Sequence, residues 1–391
     1  MSKVKILFAG DFCVRGEGTK NLTDDRINEV SGAVKNVTDS YDFLMVNVET
    51  VFTDELSPVK KSGPALASPT KALELLSKMN FGIAALANNH VCDQGESKSL
   101  KSKKMLEDAG MLTIGCGQNL DEANKPVRVE KNGIKISFLN FAENEFTAAT
   151  KSSYGFAPVD YYDNARIIKS EKEASDFVFV MLHAGSEYCP FPRTGVRKLS
   201  YHLVESGADA VIISHPHTVQ GYEYHCGKPI IYSMGNFFMS KRSADFSLWN
   251  LGYMADITIH EDRSVVFTPI PYEFASYGEY FKVLEADRKQ KFLTYLRELS
   301  AIIEDTDEEE YKNLEYAWSV FYMRLAWDGF LQEMLKDKSP DGELMLYIKN
   351  AFCCETHNEV LKNFFTIYTT NRINEFEDQL KKIKSWQKMP F

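Results

Sequence analysis

The segment ALANNHVCDQG, residues 85–95, is the stretch whose reading decides the fold. An apolar run stops at Asn88-Asn89-His90, residue types that form strands poorly and are costly to bury without partners. AVIISHPHTVQG, residues 210–221, does the same, its apolar run ending in His-Pro-His. Outward from these two, the pattern recurs. KVKILFAG (3–10) leads to Asp11, FLMVNV (43–48) to Glu49, DFVFVMLHAG (176–185) to His183, and KPIIYSMGN (228–236) ends at Asn236. Strands that stop at potential ligands deliver them to one place, because sites in parallel sheets form outside the carboxyl ends of the strands.

The segments between these runs read as helices. Ser68-Pro69 is an N-cap and first helical position before TKALELLSKM. Further helices are expected at about 95–109, closed by Gly110, and near 160–174 and 195–206. LTIGCG (112–117) is a short strand. Strands alternating with helices predict an α/β fold with a largely parallel sheet and helices outside. Hairpins at 126–142, around Asn132-Gly133, and at 253–274 add antiparallel strands, so two packed sheets are expected. After about residue 275 apolar residues recur at helical spacing. The chain therefore divides into residues 1–275 and an α-helical region, 276–391. The apolar stripe of Trp318, Phe321, Tyr322, Leu325 and Trp327 either packs onto the first part or forms a homo-oligomer contact.

Composition narrows the function. The 391 residues are 44% hydrophobic and 13% aromatic, enough for a sizeable core. A net charge of -10 without a basic patch argues against nucleic acid or anionic membrane as the main partner. The sequence has no apolar run of the roughly 18 residues that a membrane-spanning helix needs. MSKVKILFAGD enters a strand-like run at once, which is the pattern of a cytoplasmic chain without a signal peptide. The seven cysteines have no regular spacing and read as reduced thiols.

Asp11, Glu49, Asn88, Asn89, His90, His183, His215, His217 and Asn236 are thus brought toward one crevice. Carboxylates, imidazoles and an amide oxygen suit borderline divalent cations such as Mn, Fe, Co or Zn. On an extended segment, His215 and His217 face the same side. Carboxylates bridging two ions about 3.5–4 Å apart would activate a water for in-line attack. His202, His225, His260 and His357 lie in helix or hairpin contexts and read as structural. Glu187, Tyr188 and Arg193, in the loop beyond His183, are candidate substrate contacts, together with Asn88 and Asn236.

Taken as a set, Gly10-Asp11, Asn47-Val48-Glu49, ALANNHVCDQG, HAGSEY (183–188), GADAVIISHPHTVQGYE (207–223) and IIYSMGNFF (230–238) carry a resemblance. Over roughly residues 1–240 the chain resembles the CapA family, named for capsule and poly-gamma-glutamate synthesis and itself similar to calcineurin-like metallophosphoesterases. The resemblance implies a four-layer α/β/β/α metallophosphoesterase-like sandwich with a C-terminal helical extension. It implies one or two divalent metal ions (Mn, Fe or Zn) held by Asp11, Glu49, Asn89, His183, His215 and His217, with Glu49 bridging. It also implies His90 as the acid that protonates a leaving group, oriented by Asp93. One departure stands out: Asp11-Phe12-Cys13 replaces the Asp-x-His of the phosphoesterases. Cys13 is either a soft ligand or a small apolar core residue. The expected activity is metal-dependent hydrolysis of a phosphoester or amide, in a small-molecule or polyglutamate-type substrate. The alternative is a non-catalytic assembly or binding subunit of polymer synthesis with a vestigial metal site.

Overall fold

The computed structural model describes residues 3–240, 245–326, 339 and 342–391. Its core is two sheets face to face. The first runs β16 (Phe281–Val283), β15 (Val265–Phe274), β14 (Leu251–Ile259), β1 (Val4–Cys13), β2 (Phe43–Val48), β3 (Ile83–Ala85) and β4 (Leu112–Ile114), with β13 (Asn236–Met239) also paired to β1. The second runs β11 (Tyr222–His225), β12 (Lys228–Ile231), β10 (Ala210–Ser214), β9 (Phe177–His183), β7 (Ile134–Ala142) and β6 (Val127–Lys131). A small ribbon pairs β5 (Cys116–Gly117) with β8 (Gly155–Phe156). Strands β1 to β4 are mutually parallel, as are β7, β9, β10 and β12, so two sets of carboxyl ends meet.

Side-chain alternation sorts the layers. Val4, Ile6 and Phe8 of β1 share a cluster with Ile136, Phe138, Phe179, Met181 and Ile212 of the opposite sheet. Their neighbours Leu7 and Ala9 face outward, against Val30 and Val34 of α1 (Asp24–Thr38), Leu76 of α2 (Lys71–Lys78) and Leu106 of α3 (Glu96–Asp108). On the far side Val178, Val180, Val211 and Ile213 pack against Ile168 of α5 (Tyr161–Ala174) and Leu199 and Leu203 of α6 (Thr194–Glu205). A one-turn helix, α4 (Leu120–Ala123), leads into β6. The result is the expected α/β/β/α sandwich.

C-terminal to the strands come α7 (Ala286–Glu304), α8 (Glu308–Ala326), α9 (Glu343–Cys353), α10 (Glu355–Thr369) and α11 (Glu377–Trp386). Phe292, Leu299, Leu314 and Trp318 join the same apolar cluster as the inter-sheet residues. The Trp318 indole donates to Ser186 Oγ at 3.0 Å, tying α8 to the loop after β9. Trp327, the last member of the apolar stripe, lies outside the described residues. Among the described residues, no helix is long and apolar enough to cross a membrane.

Five local features differ from the sequence expectations. Helix α2 begins at Lys71 after Thr70 rather than at Pro69, and residues 112–117 split into β4 and β5 of different sheets. Helix α1 stands where no element was expected; Thr23 caps it, accepting from Arg26 N, and Ile27, Val30 and Val34 form its buried stripe. Residues 228–236 are not one strand. The chain leaves the second sheet after Ile231, turns at Gly235 with φ +73°, and Asn236 begins β13 in the first sheet. His215 and His217 are not on an extended segment either; β10 ends at Ser214 and both take positive φ, +103° and +54°. Their rings converge because of that strained turn, not because of strand alternation.

Candidate metal centre

Each candidate ligand leaves the end of a strand or enters through the loop beyond it. Asp11 sits in β1 where the strand changes partner, from β14 before it to β13 after it, and the register slips. Gly10 permits this: a Cβ there would stand 2.0 Å from the Gly235 carbonyl oxygen. Glu49 follows β2, Asn88 to Asp93 follow β3, His183 ends β9, and His215 and His217 follow β10. All are buried.

Glu49 is the centre of the arrangement. Its Oε1 lies 3.6 Å from His90 Nε2, 3.9 Å from His183 Nε2 and 3.6 Å from His217 Nε2. Among the described residues neither carboxylate oxygen has a hydrogen-bond partner, although the residue is fully buried. A buried carboxylate with nothing to satisfy it is costly, and a cation is the group that removes the cost. Two donor sets share it: Asp11, Glu49 and His183, and Glu49, His215 and His217, each with ligand atoms within 4.8 Å of one another. Oxygen and imidazole donors with a shared carboxylate fit one or two borderline divalent ions.

The electrostatics follow from burial and neighbours. Burial, with Asp11 and other carboxylates nearby, pushes the Glu49 carboxyl well above its usual range. Burial opposes charge on His217 too, but Glu49 and Asp11 outweigh it and raise the imidazolium to about 10. Burial also opposes ionisation of Asp11, yet the His217 contact at 3.3 Å and the Asn47 hydrogen bond at 2.7 Å hold it below the usual carboxylate range. His183 and His215 are pushed down, chiefly by burial. The crevice thus holds anions together and draws positive charge toward them, which is the field a metal dication needs.

His90 has its own support. Its Nδ1 lies 2.5 Å from Asp93 Oδ2, which leaves Nε2 facing Glu49. Lys61 donates to Asp93 Oδ1 at 2.7 Å and to the Asn89 carbonyl at 3.1 Å, and the Leu66 N–H reaches Asp93 Oδ2. Burial works against Asp93 ionisation, but His90 and Lys61 prevail and keep it low. Burial and then the Lys61 charge lower His90.

The other expected site residues divide. Asn89 Oδ1 is 3.1 Å from His183 Nε2, and its amide donates to Glu145 Oε2 at 3.1 Å. Asn236 Oδ1 is 2.9 Å from His217 Nδ1 and holds that ring. Tyr188 is half exposed, its ring 6.3 Å from His217 and stacked on Trp249 at 6.2 Å. The Glu187 charge acts on Glu49, His215 and His217. Asn88 donates to the Val48 carbonyl at 2.9 Å, lies 3.5 Å from Asn47 Oδ1 and accepts from His90 N at 3.1 Å. Arg193 is fully buried against the C-terminal helices, its Nε 3.4 Å from Glu359. Cys13 packs with Leu66 and Met239, its thiol pushed up to about 11 by burial, and belongs to neither donor set.

Sequence reading missed Asn47, which joins Asp11 to His183, its Nδ2 3.3 Å from His183 Nδ1, although Asn47 stands inside the Asn-Val-Glu motif. It also missed Lys61, Glu143 and Glu145, which come from loops without a periodic signal, and Cys354 and His357, which come from the helical region.

A two-sheet sandwich with a buried carboxylate–imidazole cage at its carboxyl strand ends defines the class: an α/β/β/α fold whose strand-end crevice gathers candidate metal ligands. Residues 5–241 match the family model described as bacterial capsule synthesis protein PGA_cap, and the chain belongs to that family. Its similarity extends to the PGA biosynthesis protein CapA of Bacillus subtilis (strain 168), 26% identical over 349 residues, 85% of this chain and 84% of the relative. The capsule biosynthesis protein CapA of Bacillus anthracis is 28% identical over 179 residues, 44% of this chain and 43% of the relative. A solved structure of a novel phosphatase from Mycoplasma pneumoniae aligns at 13% identity with a TM-score of 0.45, over 74% of this chain and 97% of that one.

Proposed function

We propose that this chain is a metal-dependent hydrolase serving capsule or poly-gamma-glutamate metabolism, acting on a phosphoester or an amide. The observation that carries the reading is Glu49: a buried carboxylate with no hydrogen-bond partner among the described residues, ringed by imidazole nitrogens and shared by two donor sets. Asp11, Glu49, Asn89, His183, His215 and His217 are the residues that would hold one or two ions of the Mn, Fe or Zn class. Such an ion polarises a phosphoryl or carbonyl oxygen and lowers the pKa of a bound water.

The remaining work falls to the protein's own side chains. Asp93 fixes the His90 ring through Nδ1, and Lys61 fixes Asp93. His90 Nε2 is then the atom that gives a proton to the leaving group. Asn236 orients His217 and Asn47 orients Asp11. Tyr188, its ring 6.3 Å from His217, and Glu187 beside it are the side chains that would contact substrate. The strand-end burial of the cage keeps bulk water away from the ionised groups and strengthens every contact inside.

The test is metal content together with turnover of a generic aryl phosphodiester and of a gamma-glutamyl amide. His90→Ala is expected to keep its metal and lose roughly 10²–10⁴ in turnover. Full metal loading with no turnover of either substrate class, in wild type as in the variant, would instead favour a binding or assembly subunit.

A further inference from the structure

A second group of donors lies beside the cage, and the C-terminal helices supply most of it. Cys354 is the residue between α9 and α10, and His357 is in the first turn of α10. Both face Glu145 in the loop after β7; the three ligand atoms lie within 4.8 Å of one another. Glu145 Oε1 is 3.7 Å from Cys354 Sγ on one side and 3.8 Å from His215 Nε2 on the other. Cys354 and Glu145 are buried, and His357 is half-buried.

A further observation concerns the imidazole. Asn350 Nδ2 lies 3.1 Å from His357 Nδ1, while Asn350 Oδ1 is buried without a partner among the described residues. Turning that amide by half a turn puts Oδ1 on the Nδ1–H of His357. It satisfies the orphaned oxygen and leaves the lone pair on Nε2. An outer amide or carboxylate accepting from the far imidazole N–H is the usual support of a metal-bound histidine. A cavity of about 520 Å³, lined by Lys61, Phe146 and by exposed Lys349 and Cys353, reaches Glu145 and Asn350 at the edge of the group and gives an approach to it.

We propose that Glu145, Cys354 and His357 form a further cation position of the zinc class, joined to the central cage through Glu145 and supported by Asn350. One oxygen, one sulfur and one nitrogen donor select a soft-to-borderline ion, zinc above manganese or magnesium. As the ion binds, the Cys354 thiol releases its proton to solvent and the sulfur becomes the ligand. The three protein donors leave one tetrahedral place for water or for an oxygen of the substrate. The position also gives the helical region a part in the site: it clamps the junction of α9 and α10 onto the loop after β7. This goes beyond the hydrolase reading and does not depend on it.

The experiment loads the full chain with zinc, removes excess by dialysis and measures bound metal, then repeats the loading with cobalt(II) and records the absorption spectrum. Wild type is expected to retain one equivalent more than Cys354→Ser or His357→Ala. Cobalt-loaded wild type is expected to show a sulfur-to-cobalt charge-transfer band that Cys354→Ser lacks and Cys353→Ser keeps. Asn350→Ala should weaken this equivalent by about 10–100-fold, the usual effect of removing an outer-shell partner. Equal metal content in wild type and Cys354→Ser, or no sulfur band in cobalt-loaded wild type, overturns the proposal. The spectrum decides it even if the variants fail to fold. Glu49→Gln separates the two readings, since it empties the central cage and leaves the sulfur band in place.

Discussion

Replacing Glu49 by glutamine is expected to stabilise the metal-free protein and destabilise the metal-loaded one. In the metal-free chain the Glu49 oxygens are buried and unpartnered, and burial lifts the carboxyl well above its usual range. The sign follows from proton binding. An acid whose pKa is raised on folding keeps its proton in the folded state after the unfolded chain has lost it. Stability therefore falls as pH rises above the unfolded value of about 4.3. The amide does not titrate, so the metal-free variant lacks this slope and its advantage grows from pH 5 to pH 8. Each pH unit above that value costs the metal-free wild type about 1.4 kcal/mol until the folded carboxyl itself ionises, and this sets the gain. With metal present the sign reverses: a ligand at about 100 times its Kd contributes roughly 2.7 kcal/mol that the variant loses. At about 2 °C per kcal/mol for a chain of this size, both shifts are measurable by thermal melting in chelator and in excess Mn or Zn, at pH 5 and pH 8. If Glu49→Gln melts below wild type in chelator at pH 8, or wild type does not respond to metal at all, Glu49 is not the cation's anchor.

Lys61→Met breaks a buried pair with Asp93, so it should cost about 3–5 kcal/mol in urea unfolding. It also removes a charge that lowers His90, so the alkaline limb of any pH–rate profile, where the proton donor is lost, should move to higher pH. Glu143 is raised to about 8 by burial, with Glu355 adding to it, and so subtracts stability as pH climbs from about 4.3 toward 8. Glu143→Gln, which can still accept from Gly185 N and meet Thr356, should raise the melting temperature more at pH 8 than at pH 5. A chain ending at residue 275 loses Phe292, Leu299, Leu314 and Trp318 from the inter-sheet cluster and is expected to aggregate in size-exclusion chromatography; a soluble, active monomer would show that these helices are dispensable.

The strand ends were legible because two simple signals coincide. Continuous apolar runs mark strands buried on both faces, and parallel pairing gathers their carboxyl ends. Asp11, Glu49, His90, His183, His215 and His217 could therefore be assigned to one crevice from the order of residues alone. The Asn132-Gly133 hairpin was equally readable, since a two-residue turn with positive φ at both places favours that pair. The turn that aims His215 and His217, and the crossing from β12 to β13 through Gly235, could not be read: both depend on which sheet each strand finally joins. Nor could Lys61, Glu145, Cys354 and His357. They are carried by loops and a helix junction, and nothing in the local sequence records that residues 145 and 354 will touch. What sequence supplies is the chemistry each side chain brings and the strand that delivers it. What only the folded chain decides is which groups are desolvated together. Burial at close range, not residue type, leaves the Glu49 carboxyl unsatisfied and holding its proton, holds the His217 proton, and brings a cysteine from the helical region to the edge of the cage.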